Sequence, residues 1–260
     1  EKAMVSLINN WRTVFGDEDL PFAVIQLPTA NFSKIYKPDR IGIGVRAGKW
    51  NVSKRLDNVR TVVSIDTGNT NDVHPQDKQL IADRAAAFVM DFINGTHGEN
   101  ESPSFESMTK DGDKLILNFK NTYGALNTDD GQAPLAFEIR DDNGVYSDAQ
   151  AAINGDTIEI DAAGITNPQI RYAWSDTPGV DKELVASQTA APAAANLFNA
   201  KGLPMAPFKT DEKENYFYKD ITTKSDCYKY IPYISKMEQD ENGNILIRAY
   251  DTDGIVENVS

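Results

Sequence analysis

The 260 residues carry 39 acidic and 26 basic side chains, a formal net charge of −13 at pH 7. That balance argues against nucleic acid or an anionic membrane as the main partner, since both demand a basic footprint, and no apolar run approaches the length of a bilayer span. The length allows one large domain or two ordinary ones, and the composition is that of a globular protein.

The opening segment reads as a helix and not as a signal peptide. Met4, Leu7, Ile8, Trp11 and Phe15 fall on one helical stripe, with Trp11 assigned to the core, and Gly16 is the expected stop. After an acidic loop, Pro21 to Leu27 is an apolar run without alternation, as expected of a strand covered on both faces. Residues 41–56 read as partly helical. Thr61 to Asp66 is β-branched and strand-like. A polar loop carries Asp66, Gly68, Asn69 and Asp72 to His74, and Pro75 suits the first position of a helix. Leu80, Ile81, Ala85, Phe88, Val89 and Phe92 form that helix's stripe, which ends near Asn94-Gly95. This order is a parallel α/β layout, in which sites gather at the carboxyl ends of strands.

From about Ser102 the texture changes to short strands separated by Asp, Gly and Asn turns. The runs are Lys114–Phe119, Leu135–Ile139, Thr157–Ile160 and Gln169–Trp174. They predict a β-sandwich-like module to about Asp211, interrupted by an Ala-rich loop at 190–195. Residues 212–260 are polar and Tyr-rich, and Asp240–Arg248 reads as a turn leading into a strand.

The chain has two histidines and one cysteine. His74 stands between a carboxylate and a helix start, where it can act as a general base with Asp72 orienting its ring. The plainer role is packing of the loop. His97 sits in a loop and reads as solvated. Cys227 has no histidine near it in sequence, so it is a poor nucleophile, and it cannot form an internal disulfide. Metal-ligand spacing is absent, and no cofactor is implied. Asp111-Gly-Asp113 and Asp129-Asp130-Gly131 do not continue as calcium loops and read as turns. Trp50 is the candidate for stacking on a sugar ring. Sequons occur at Asn31, Asn51, Asn94, Asn100 and Asn258, which are acceptors only in a secreted eukaryotic protein.

Several stretches in order resemble the sialate O-acetylesterase family of SGNH (GDSL-like) hydrolases. They include Leu7-Ile8-x-x-Trp11-Arg12, Leu20–Leu27, Ile65-Asp66-x-Gly68, and Asp72-Val73-His74-Pro75-x-x-Lys78-Gln79 with Arg84. They continue with Val145-Tyr146, Pro168-x-Ile170-Arg171-Tyr172-Ala173-Trp174, Asn196-Leu197-Phe198-Asn199 and Gly202-Leu203-Pro204-x-x-Pro207-Phe208-x-Thr210-Asp211. The resemblance implies an α/β fold: the C-terminal part of a flavodoxin-like α/β/α esterase domain over residues 1–100, a β-sandwich-like accessory domain over 101–211, and an extension over 212–260. It implies serine-type removal of O-acetyl groups from sugars, with His74 as base and Asp72 as its orienting acid. It also implies a secreted or extracytoplasmic location. Arg46 matches an arginine in a comparable helix and joins Trp50 as a candidate substrate contact.

Two departures from the family stand out. The acid that many such enzymes place three residues before the histidine is replaced here by Asn71, so Asp72 takes the role, with Asp66 as backup. No G-D-S, G-Q-S or G-x-S-x-G pattern occurs. The chain starts about where the last third of such a domain is expected to start, so the nucleophile serine is expected on an N-terminal fragment or a second chain. Two strands cannot close a doubly wound sheet, and the stripe of Leu7, Trp11 and Phe15 then lacks a covering layer. The partners expected are that polypeptide and an O-acetylated sugar, with no nucleic acid and no membrane. The rival readings are a non-catalytic glycan-binding or adhesion module, and an acetyl xylan or pectin esterase.

Overall fold

The computed structural model describes residues 1–32, 41–96, 98–211, 234–239, 245–250 and 255–259. His97, Cys227 and the turn expected at 240–244 lie outside the described residues. Glu1–Lys213 forms one compact unit and Glu214–Ser260 a second.

The first unit begins with α1 (Lys2–Phe15), which ends at Gly16 in the left-handed conformation, φ 68°. Next come β1 (Phe22–Ile25), α2 (Ile41–Val52) and β2 (Val59–Val62). β1 and β2 pair in parallel, from Phe22 beside Val59 to Ile25 beside Val62. On one face of this pair Ile8, Val24, Val52 and Val59 form an apolar cluster with Met4, Val5, Phe22 and Leu56. The helix α3 (Gln79–Asn94) packs on both strands. Arg60 of β2 turns to it, with Nη1 2.9 Å from the Asp91 carboxylate and the guanidinium 4.6 Å from the Phe88 ring. Helices thus cover both faces of the pair, as a buried parallel sheet requires.

Two boundaries differ from the sequence reading. β2 ends at Val62 because the chain turns at Ser64–Thr67, where Thr67 donates back to the Ser64 carbonyl from both its N–H and its hydroxyl. α3 starts at Gln79 and not at Pro75. Asp77 sets that start, its carboxylate accepting the N–H groups of Gln79 and Leu80. Pro75 is buried in the loop before it.

The β part contains β3 (Ser104–Asp111), β4 (Lys114–Lys120), β5 (Leu126–Thr128), β6 (Phe137–Arg140), β7 (Tyr146–Asp148), β8 (Ala151–Asn154), β9 (Thr157–Asp161) and β10 (Gln169–Tyr172). The short helix α4 (Lys182–Ala186) follows, then β11 (Leu197–Asn199) and β12 (Phe208–Lys209). One four-stranded sheet has the order β3-β4-β9-β8, a second β12-β10-β6-β7, and β11 pairs with β5. All these pairings are antiparallel. Alternate residues of both four-stranded sheets point into one core, among them Leu115, Leu117, Ile158 and Ile160 from the first and Phe137, Ile139, Ile170 and Tyr172 from the second. Phe208 stacks on Phe105 at 4.7 Å and on Tyr172 at 5.9 Å. Val63 and Ile65, on the exit from β2, belong to this same core. The Asp-rich segments are turns: Gly112 and Gly155, with φ 58° and 64°, close the β3–β4 and β8–β9 hairpins.

In the second unit β13 (Ile234–Gln239), β14 (Ile245–Tyr250) and β15 (Ile255–Val259) form an antiparallel sheet in that order.

Candidate functional site

The loop from Val63 to Lys78 leaves the carboxyl end of β2, and it is held at every few residues. Thr29 donates its hydroxyl to the Ile65 carbonyl at 2.6 Å and its N–H to the Thr67 carbonyl at 2.9 Å. Gly68 then passes the same segment at φ 86°, where a Cβ would lie 2.6 Å from the Thr29 carbonyl oxygen. Only glycine combines that φ with that approach. Asn69 folds back next, its side-chain oxygen accepting the N–H groups of Asn71 (2.8 Å) and Asp72 (2.9 Å). Asp72 repeats the device, its Oδ1 accepting the N–H of His74 at 2.8 Å.

These two side-chain turns present His74 at the surface. Among the described residues the imidazole makes no hydrogen bond. Asp72 therefore holds the backbone of His74, while its second oxygen makes no hydrogen bond among the described residues. Asp66 is committed elsewhere. Its two oxygens take both terminal nitrogens of Arg84, at 2.9 and 2.6 Å, and Arg84 also donates to the Val63 carbonyl. Both partners of that pair are buried.

The loop is also fastened to the β part, a tie that sequence reasoning missed. Thr70 donates its hydroxyl to the Thr189 carbonyl at 2.9 Å and accepts the Ala191 N–H at 3.0 Å. Its own N–H reaches the Ala191 carbonyl, and Asn71 reaches the Gln188 carbonyl. A cleft of about 480 Å³ opens along this seam, lined by Asp66–Asn69, Pro75–Asp77, Leu80 and Ala190–Pro192. Pro75, next to His74, is part of its wall, and the His74 ring is not. The Ala-rich segment bears no local signal of such a role.

The two candidate substrate contacts have other surroundings. Arg46 is fully buried. Its guanidinium donates to the carbonyls of Leu27 (2.9 Å), Pro28 (2.7 Å), Ser175 (2.7 Å) and Asp176 (2.8 Å). Burial pulls its pKa down to about 10, against the pull of Asp176, so it stays charged at neutral pH. Four of its five N–H donors are spent on carbonyls and the side chain is shut off from solvent, so the expectation of a substrate contact there does not fit this geometry. Trp50 is half-buried against the core, and the Lys54 ammonium lies 5.7 Å from its ring. Trp11, read as core, is 48% exposed and touches Phe22 at 5.9 Å.

Among the described residues no cluster of side chains could hold a metal ion, and no helix is long and apolar enough to cross a membrane. The Asp130 carboxylate, in one of the Asp-rich turns, is used by the Gln132 N–H and the Asn196 amide. Chemically, the site offers an exposed imidazole, without a hydrogen-bond partner among the described residues, on a loop beside a cleft.

The molecule is a mixed α/β protein with several antiparallel sheets, similar to a carbohydrate esterase fold. Among the solved structures it matches is the crystal structure of a carbohydrate acetylesterase from Xanthomonas citri, with a TM-score of 0.67 and 27% identity. The match covers 80% of this chain and 45% of that one, so these residues span less than half of the neighbour's length. No family model matches the chain, and no curated protein does.

Proposed function

We propose that the chain is the base-bearing part of a carbohydrate O-acetylesterase of the SGNH type, acting on sialic acid O-acetyl esters. The observation that supports this most is the open imidazole of His74 in a chain that resembles a carbohydrate acetylesterase. A serine outside these residues attacks the acetyl carbonyl, and His74 takes its proton as the new C–O bond forms. The imidazolium then returns the proton to the sugar oxygen as the old ester bond breaks. Water releases acetate by the same route. Asp72 steadies the loop through its hydrogen bond to the His74 N–H and lends its second oxygen to the ring as the imidazolium forms. Such an enzyme meets its glycan outside the cytoplasm.

The test is hydrolysis of p-nitrophenyl acetate together with a fluorophosphonate probe. Residues 1–260 alone are expected to show no turnover and no labelled serine. The assembled enzyme is expected to be labelled on a serine outside them and to release acetate from O-acetylated sialic acid faster than from acetyl xylan. Turnover by the isolated chain that vanishes on mutating one of its own serines sinks this reading. Binding of O-acetylated glycan with no labelled polypeptide in the assembly favours a non-catalytic glycan-binding module.

A further inference from the structure

The hydrogen-bonding groups of β1 face two ways. The N–H of Phe22 reaches the Asn58 carbonyl at 2.9 Å and that of Gln26 the Val62 carbonyl at 3.0 Å, so these residues face β2. By the two-residue period of a strand, Ala23 and Ile25 face the opposite edge. Among the described residues no strand pairs there. The Lys49 ammonium reaches that side, at 2.7 Å from the Ile25 carbonyl.

The helices beside this edge are apolar beyond what they bury. On α1, Leu7, Trp11 and Val14 are 45%, 48% and 73% exposed, and Trp11 reaches down to Phe22 of β1. On α3, Val89 and Ile93 are 42% and 67% exposed, and Ala86 continues their stripe. A helix with an apolar stripe outside its buried face is one that another layer covers.

Resting on the esterase reading, we infer that the free edge of β1, flanked by the stripes of α1 and α3, is the docking face for the polypeptide that carries the nucleophile serine, which adds a parallel strand to β1. Three features favour this occupant. More than half of the neighbouring acetylesterase's chain has no counterpart in these residues. The existing pair is parallel and sandwiched between helices, and such sheets grow by further parallel strands under the same layers. A second copy of this chain, related by a twofold axis, would pair β1 with itself in antiparallel fashion and bring no serine. The incoming strand displaces Lys49 from the Ile25 carbonyl.

The test uses the assembled protein as it occurs in its source, with a photo-reactive phenylalanine analogue placed at Leu7 or at Ile93. Cross-links from both positions are expected to land on a polypeptide that fluorophosphonate labels on serine. The N–H groups of Ala23 and Ile25 are expected to exchange with solvent ~100-fold or more slowly than exposed loop amides. The double change Val89→Asp and Ile93→Asp should release the labelled polypeptide, while Val145→Asp, exposed on the β part, should not. Cross-links to a second copy, or fast exchange at both amides, overturn the inference. A cross-linked polypeptide that takes no fluorophosphonate overturns the esterase reading and leaves the docking face standing. A labelled serine without a cross-link from either position does the reverse.

Discussion

Asp66 and Asp72 lie on one loop and do different work. Asp66 is half of a buried, two-pronged pair with Arg84, whose partners are 8% and 7% exposed. Removing one charge from such a pair strands the other, at a cost of about 3–5 kcal/mol. Asp66→Asn is therefore expected to lower stability by that order in urea unfolding, with loss of activity following loss of fold. Asp72→Asn is expected to keep its hydrogen bond to the His74 N–H, because the amide oxygen still accepts, so stability should change by less than about 0.5 kcal/mol. Its kcat should nevertheless fall, since an amide can favour the wrong imidazole tautomer. Equal stability losses in the two variants would assign both residues to structure alone.

His74 can be tested with less ambiguity, because its ring makes no hydrogen bond among the described residues. His74→Ala in the assembled enzyme should lower kcat by about three orders of magnitude or more with little change in KM. Thermal stability should stay near that of the parent. A variant that loses stability and keeps kcat per folded molecule would return His74 to a packing role.

At the scale of the element, the base loop owes its shape to one glycine and one threonine. Gly68→Ala places a methyl 2.6 Å from the Thr29 carbonyl oxygen at a φ of 86°, and the strain is about 1–3 kcal/mol or more. Thr70→Val leaves the Thr189 carbonyl and the Ala191 N–H without the hydroxyl they share, in a site where Thr70 is 2% exposed. That variant should lose about 1–3 kcal/mol. Because the Thr70 backbone stays bonded to Ala191, the loop should loosen before it unfolds, which hydrogen exchange at residues 68–74 would report. Exchange unchanged across the loop would show that the hydroxyl is dispensable.

How much of each element was legible follows from where its determinants lie. Gly16 and Gly95 mark the ends of α1 and α3, because a left-handed residue closes a helix within its own turn. The strand β3 was missed because most of its side chains are exposed and show no alternation. The run read as a strand from Leu135 starts at Phe137, since Ala136 sits at φ 66° and breaks the extended chain.

At the scale of the whole molecule, one carboxylate joins several elements. Asp91 of α3 is buried and accepts from Arg60 of β2 and from the backbone and side chain of Asn100, while Arg60 also reaches Glu101. Burial pushes the Asp91 carboxyl up, and the hydrogen bonds from Arg60 and Asn100 outweigh it, so the group lies below the ordinary range. A carboxyl lowered on folding contributes stability that is full above its unfolded value, near ~4, and is lost as pH falls through the folded value. Thermal unfolding between pH 7 and pH 3 should show that loss, and Asp91→Asn should flatten part of it while lowering stability at pH 7. An unchanged acid slope in the variant would assign the sensitivity to other carboxylates.

In the stretches that carry the resemblance, Asn196, Asn199 and Arg171 serve as scaffolding. Asn199 bonds the Glu101 and Asn121 carbonyls and accepts from Lys201 and Leu203, and Arg171 grips Glu138 at 2.7 and 2.8 Å. Buried polar groups of this kind demand specific partners, so they leave a readable pattern in the sequence.

The sequence by itself determined the order of α1, β1, α2, β2 and α3, the turn glycines, the loop that carries His74 and the lack of a serine-nucleophile pattern, because periodicity and backbone preference act over a few neighbouring residues. Tertiary structure alone decided that Asp66 is taken by Arg84, that Arg46 is a buried clamp, that the β part walls the cleft, and that no strand among the described residues pairs with the second edge of β1. Those outcomes rest on contacts such as Arg46 with Ser175 and Thr70 with Thr189, 129 and 119 residues apart, and a pairing at that distance is set by how the layers pack rather than by any local pattern.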